Sequence, residues 1–133
     1  MKKLFIKIFI VSLSVLMFAG CRTSAVYNVQ DATIVAAADK PATMEQVQKA
    51  ILRAGASLGW SMKAESEGRI IGTLFLRDHM AKVAIDYTTT SYSITYQDSS
   101  NLKYDAENNT IHSNYNGWVQ NLQRNIQAQM SLL

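Results

Sequence analysis

The chain has 133 residues, 48% of them apolar and 17% charged, with one proline and one cysteine. That composition excludes collagen-like, disulfide-scaffolded and wholly disordered classes, and the length suits one domain. The formal charge is +3, yet Lys2, Lys3 and Lys7 all lie in an apolar leader; without them ten basic residues face ten acidic ones, which leaves no basic footprint for nucleic acid or anionic lipid.

Residues 1–20 have a basic start followed by an apolar run from Leu4 to Ala19, broken only by Lys7, Ser12 and Ser14. This is the layout of a secretory signal. A transmembrane helix needs about 20 consecutive apolar residues, and the stretch from Ile8 to Ala19 is too short for that, so cleavage is the expectation. The run closes in Phe18-Ala19-Gly20-Cys21, which resembles the bacterial lipoprotein box: small residues just before a cysteine that becomes the acylated N-terminus. Phe18 stands where the box more often has an aliphatic residue. The resemblance implies two or three acyl chains on Cys21, enough for stable anchoring where one chain is marginal. Arg22 occupies the position where enteric lipoproteins kept in the inner membrane usually carry Asp. By that resemblance the expected location is the outer membrane, facing the periplasm, with another bacterial envelope membrane as the alternative.

From residue 21 to residue 40 the chain is small and polar without clear period, apart from a short strand signal at residues 25–29, and it reads as a lipidated cysteine followed by a flexible tether. A single domain is expected over residues 41–133. Thr43-Met44-Glu45-Gln46 matches a capping box. Behind it Met44, Val47, Ile51, Ala54 and Leu58 form a helical apolar stripe, ended by Gly59. Four strands follow: residues 60–64, residues 69–77 after a Glu67-Gly68 turn, residues 81–88 with Ala81, Val83, Ile85 and Tyr87 on one face, and a run holding Tyr92, Ile94 and Tyr96. Connections this short imply hairpins. After a polar stretch, a second helix spans about residues 114–130 with the stripe Tyr115, Trp118, Leu122, Ile126 and Met130. The expected fold is α+β: a two-layer sandwich in which a four-stranded antiparallel meander carries the N- and C-terminal helices on one face.

The run from Tyr96 to Tyr104, with Ile111-His112 and the segment from Tyr115 to Leu122, resembles a group of small bacterial envelope lipoproteins. The resemblance covers residues 43–130 and implies an envelope location; it brings no reaction and no catalytic residues.

His79 and His112 are the only histidines. Zinc sites collect three or four ligands, and with Cys21 committed to lipid only Asp78, Asp105 or Glu107 could join them without any recurring ligand spacing, so no metal and no cofactor is expected. Ser99 or Ser100 with His112 and Asp105 lack the glycine-flanked elbow of a serine hydrolase, and Glu65 and Glu67 lie at a hairpin. No catalytic residue is assigned. Residues 97–105 form the most specific polar feature: Asp98, Ser99, Asn101 and Tyr104 mix hydrogen-bonding groups with an aromatic ring and make a candidate ligand loop for a sugar or peptide. The competing reading is a structural loop with Leu102 pinned into the core. Trp60 and Trp118 fall on apolar stripes and are expected to pack. In the second strand both faces are partly apolar, so Ile71 and Phe75 are left on the side the helices do not cover, beside a mostly polar set of Lys82, Ala84, Asp86 and Thr88. They form a candidate partner surface. Together these features read as a non-enzymatic module held to the membrane by lipid and binding another envelope protein, with a small-ligand, glycan or peptidoglycan module using residues 97–105 as the alternative.

Overall fold

The structure, a computed structural model, describes residues 22–133. The expected signal peptide of residues 1–20 and Cys21 lie outside the described residues. Among the described residues no helix is long and apolar enough to cross a membrane.

Nine elements follow in chain order: β1 (Thr23–Ala25), β2 (Val29–Thr33), α1 (Met44–Ser57), β3 (Ser61–Ser66), β4 (Arg69–Leu76), β5 (His79–Tyr87), β6 (Ser91–Ser100), β7 (Thr110–His112) and α2 (Ser113–Met130). The fold is α+β, with two helices packed against antiparallel sheet. The central meander β3 to β6 matches expectation, but the strand count does not: β2 adds a fifth strand beside β6, giving the order β2-β6-β5-β4-β3, and β1 pairs with β7 in a separate two-stranded sheet.

Those additions correct the tether. Residues 23–33 are built into the fold, β1 through the pairs Thr23 with His112 and Ala25 with Thr110, β2 through Val29 with Ile94 and Thr33 with Ser91. Both strands are short, and of β2 only Val29 is buried. A three-residue strand has no period to read, and a polar edge strand is specified by the neighbour it pairs with rather than by its own alternation.

The helices obey their local signals. Thr43 accepts from the Gln46 amide at 3.1 Å while the Gln46 side chain accepts from the Thr43 amide at 2.9 Å, closing the capping box. Gly59 takes a φ of +87° just past the helix end, a conformation costly for residues with a Cβ. The buried set of α1 is Val47, Ala50, Ile51, Ala54 and Gly55, which adds the small residues Ala50 and Gly55 to the expected stripe, whereas Leu58 is the C-cap residue past the helix end and is 38% exposed. Along α2 the buried set is Tyr115, Val119, Leu122, Ile126 and Met130; Val119 replaces Trp118. These side chains join Ile70 and Leu74 of β4, Ala81, Val83, Ile85 and Tyr87 of β5, and Tyr92 and Ile94 of β6 in one core. Strand alternation therefore leaves Ile71, Thr73 and Phe75 on the opposite, open face.

Candidate functional site

The open face of the sheet carries a depression of about 530 Å³ lined by Ser61, Lys63, Glu65, Ile71, Thr73, Lys82, Gln97 and Asp98. Backbone register assembles it. Ser61 pairs with Thr73, Thr73 with Lys82 and Lys82 with Asp98, so these four cross the sheet in one row. The next row runs from Lys63 through Ile71 and Ala84 to Thr95. Ala84 is 1% exposed although it belongs to the open face, and Ile71, Thr73 and Lys82 are partly exposed, whereas Lys63, Glu65 and Asp98 are exposed.

A β-bulge shapes the far wall. Lys82 pairs with Asp98 and Val83 with Tyr96, so Gln97 is the extra residue of β6. Bulges bend the strand and re-aim side chains. Here Tyr96 turns toward the core, edge-on to Tyr115 at 5.7 Å, while Gln97 and the adjacent Asp98 are both exposed and both line the depression.

Four charges of both signs, Lys63, Glu65, Lys82 and Asp98, line this surface, and none enters an ion pair with another described residue. At the β3–β4 turn end of the sheet Arg69 does hold Asp86, with Nε donating at 2.7 Å and Nη2 at 3.1 Å; those bonds raise the guanidinium above its ordinary range. Asp98 accepts from the Ser99 amide at 2.8 Å and Glu65 acts on Arg69 from beyond ion-pair distance; the remaining capacity of these charges is left to water or to a partner.

The structure divides the candidate partner surface. Ile71 lines the depression, whereas Phe75 lies outside it near the β4–β5 turn, 72% exposed.

It also divides the candidate ligand loop. Residues 97–100 continue β6, so the loop proper begins at Asn101. Asp98 faces the depression. The Ser99 hydroxyl meets the Tyr96 hydroxyl at 2.7 Å, Asn101 donates its side-chain amide to Asp78 at 2.7 Å, and Tyr104 stacks on Tyr96 at 4.0 Å. Burial pushes the Tyr96 phenol up, with the Ser99 bond acting against it. Leu102 is 1% exposed, pinned into the core as the structural reading of this loop requires.

The histidines take separate posts. His79 Nδ1 lies 2.8 Å from the Asn101 carbonyl, and its ring is 6.2 Å from that of Trp118. His112 caps α2 by accepting from the Asn114 amide at 3.1 Å. Among the described residues no group of three or more His, Cys, Asp or Glu side chains is placed to hold a metal ion. Trp60 is buried at 4%, and Trp118 is half-buried beside Leu58, Trp60 and Leu74.

Alternation gives Ser61, Lys63 and Thr73 an outward face, but only cross-strand register brings them together, and Gln97 is a site residue that sequence patterning does not pick out. Alternation puts Lys82 on the outward set, but only the bulge sets it opposite Asp98. No family model, no curated protein and no solved structure matches the chain.

Proposed function

We propose that this chain is a lipid-anchored envelope protein, attached at Cys21 to the outer membrane and facing the periplasm, which binds a polar, extended segment of another envelope protein on the open face of its sheet. The observation that carries the binding role is the depression lined by Ile71 and Thr73, where Lys63, Glu65, Lys82 and Asp98 present both signs of charge without ion-pair partners from the described chain. A segment bearing complementary charges of both signs satisfies such a surface, and electrostatic matching of this kind favours specificity over raw affinity. The anchoring half of the proposal rests on the resemblance of residues 18–21 to the lipoprotein box, and the compartment on Arg22.

A binding role is supported over a catalytic one by what the two histidines do: His79 meets a backbone carbonyl and His112 caps a helix. The ligand-loop alternative has less support, since Ser99, Asn101 and Tyr104 commit their contacts to the chain itself.

The test places a photo-crosslinking residue at Thr73 in the full chain, expressed in bacterial envelopes, with one at exposed Gln120 on α2 as control. One protein adduct from position 73, absent from 120 and lost on Lys82→Glu with Asp98→Lys, is the expected result. Equal adducts from both positions, or none from 73, overturns the proposal.

A further inference from the structure

The position of β1 and β2 inside the fold decides how an anchored form meets the bilayer. The Ser113 amide donates to the Arg22 carbonyl at 2.6 Å, and β1 begins at Thr23. Cys21 is the covalent neighbour of Arg22, so one residue step, about 3.8 Å between Cα atoms, separates the expected acylation point from the folded domain. Nothing in that length lets the domain stand away from a membrane. The end of the domain carrying Arg22 must then lie at the bilayer surface.

A chain of contacts identifies that end. From Arg22 and Ser113, His112 donates its amide to the Leu102 carbonyl at 2.8 Å; the neighbouring Asn101 bonds Asp78 at 2.7 Å and its carbonyl meets His79 at 2.8 Å; and His79 is the register partner of Leu76. The β4–β5 turn is therefore at the same end as the exit toward Cys21. Exposed apolar side chains gather there: Phe75 at 72%, Leu76 at 44%, and Leu58 at 38%, the last sharing a pocket with Leu74 and the half-buried Trp118. The exposed basic residues Arg22, Arg77 and Lys103 accompany them, while Asp78 is engaged by Asn101 and His79. The chain as a whole is balanced in charge and offers no overall basic footprint to anionic lipid, but at this end the basic side chains stand locally among apolar ones, the pattern that enters a headgroup region with the apolar groups reaching the acyl boundary and the cations meeting lipid phosphates.

We infer that the β4–β5 turn, led by Phe75 and Leu76, is a membrane-contacting tip that holds the anchored domain against the lipid surface and fixes its orientation. This rests on the acylation of Cys21. Phe75 accordingly serves the bilayer, while Ile71 serves the open-face depression.

The experiment uses the full chain, purified with its anchor in detergent and returned to vesicles of phosphatidylethanolamine and phosphatidylglycerol. Cys21 is the sole cysteine, so once it is acylated a Phe75→Cys substitution offers one thiol for a nitroxide label, and Val35→Cys, 71% exposed, two residues past β2 and next to Ile34, whose amide donates to Thr90 in the β5–β6 turn, supplies the control. Intact mass is read first. On acylated protein, the ratio of oxygen to nickel-chelate accessibility is expected to be severalfold higher at position 75 than at position 35. Acylated protein with equal ratios at the two positions, or with a label at 75 shielded from both reagents as in a protein contact, overturns the membrane tip and leaves the anchor standing. A mass without acyl chains overturns both.

Discussion

Asn101 ties the β4–β5 turn to the loop after β6: its side-chain amide donates to the Asp78 carboxylate at 2.7 Å while its own backbone sits at a φ of +57°. A left-handed backbone is tolerated best by glycine and by Asn or Asp, and costs other residues about 1 to 2 kcal/mol. Two contributions therefore meet in one residue. Asn101→Ala loses both the tie and the tolerance and is expected to cost about 2 kcal/mol, whereas Asn101→Gly loses only the hydrogen bond, about 1 kcal/mol. Urea melts of the two variants check this. Equal losses would show that the backbone conformation contributes nothing.

Tyr115 is fully buried, and its hydroxyl has no hydrogen-bond partner among the described residues. An unsatisfied buried hydroxyl costs about 1 to 3 kcal/mol, so Tyr115→Phe is expected to stabilise the fold by about 1 kcal/mol. Burial also pushes its phenol well above the ordinary value of 10.0, and pushes Tyr92 up to about 12. For an acid whose folded pKa is raised, the unfolded chain releases its proton first, so the contribution is intact below the unfolded pKa near 10 and is lost as pH climbs toward the folded value. Urea midpoints at about pH 8 and about pH 11 should fall with pH in the parent chain and fall less in Tyr115→Phe. An identical decline in both would remove Tyr115 from the alkaline transition.

Where alternation and capping chemistry operate locally, sequence and structure agree residue by residue: the box at Thr43, Gly59 and Gly68 at positive φ, and the inward set Ala81, Val83, Ile85 and Tyr87. The disagreements arise where the deciding partner is distant in sequence. Val29 pairs with Ile94 and Thr23 with His112, contacts that no window around either residue contains. The site was legible to the same degree. Ile71 could be placed on the open face from alternation alone, but the depression needs the bulge at Gln97 and the pairing of Lys82 with Asp98.

On α2 Val119 takes the buried place that the apolar stripe gives to Trp118. A four-residue step from Tyr115 reaches Val119, and the larger ring at 118 turns to the rim beside His79. The burial order reverses the size order. Val119→Ala is expected to cost about 2 to 3 kcal/mol, from two lost methyls and the space they leave, while Trp118→Ala costs about 1 to 2 kcal/mol because much of its area already meets water. Denaturant titrations of both variants test this ranking, and a loss above that of Val119→Ala at Trp118 would return the indole to the core.

Anchoring predicts a clean chemical readout. Cys21→Ser removes the only thiol in the chain, so the variant is expected to carry no acyl mass and to persist as an uncleaved precursor that keeps residues 1–20, as read by intact mass and membrane fractionation. A parent chain whose mature N-terminus is unmodified and starts elsewhere would overturn the anchor.

Ile70 and Phe75 occupy opposite faces of the same strand, Ile70 with no exposed surface and Phe75 with 72% exposed. Their sizes alone would assign the larger loss to the phenylalanine. Burial reverses that order: truncating a fully buried isoleucine removes its transfer free energy and opens a cavity, whereas an exposed ring already stands in water when no lipid is present. Ile70→Ala is therefore expected to cost about 2 to 5 kcal/mol, and Phe75→Ala to stay within about 0.5 kcal/mol of the parent. Both are measured by urea unfolding of residues 22–133 without lipid, so that a membrane contact cannot contribute. A large loss at Phe75 would mean that its ring packs on the domain itself, and would withdraw it from the bilayer and the open face alike.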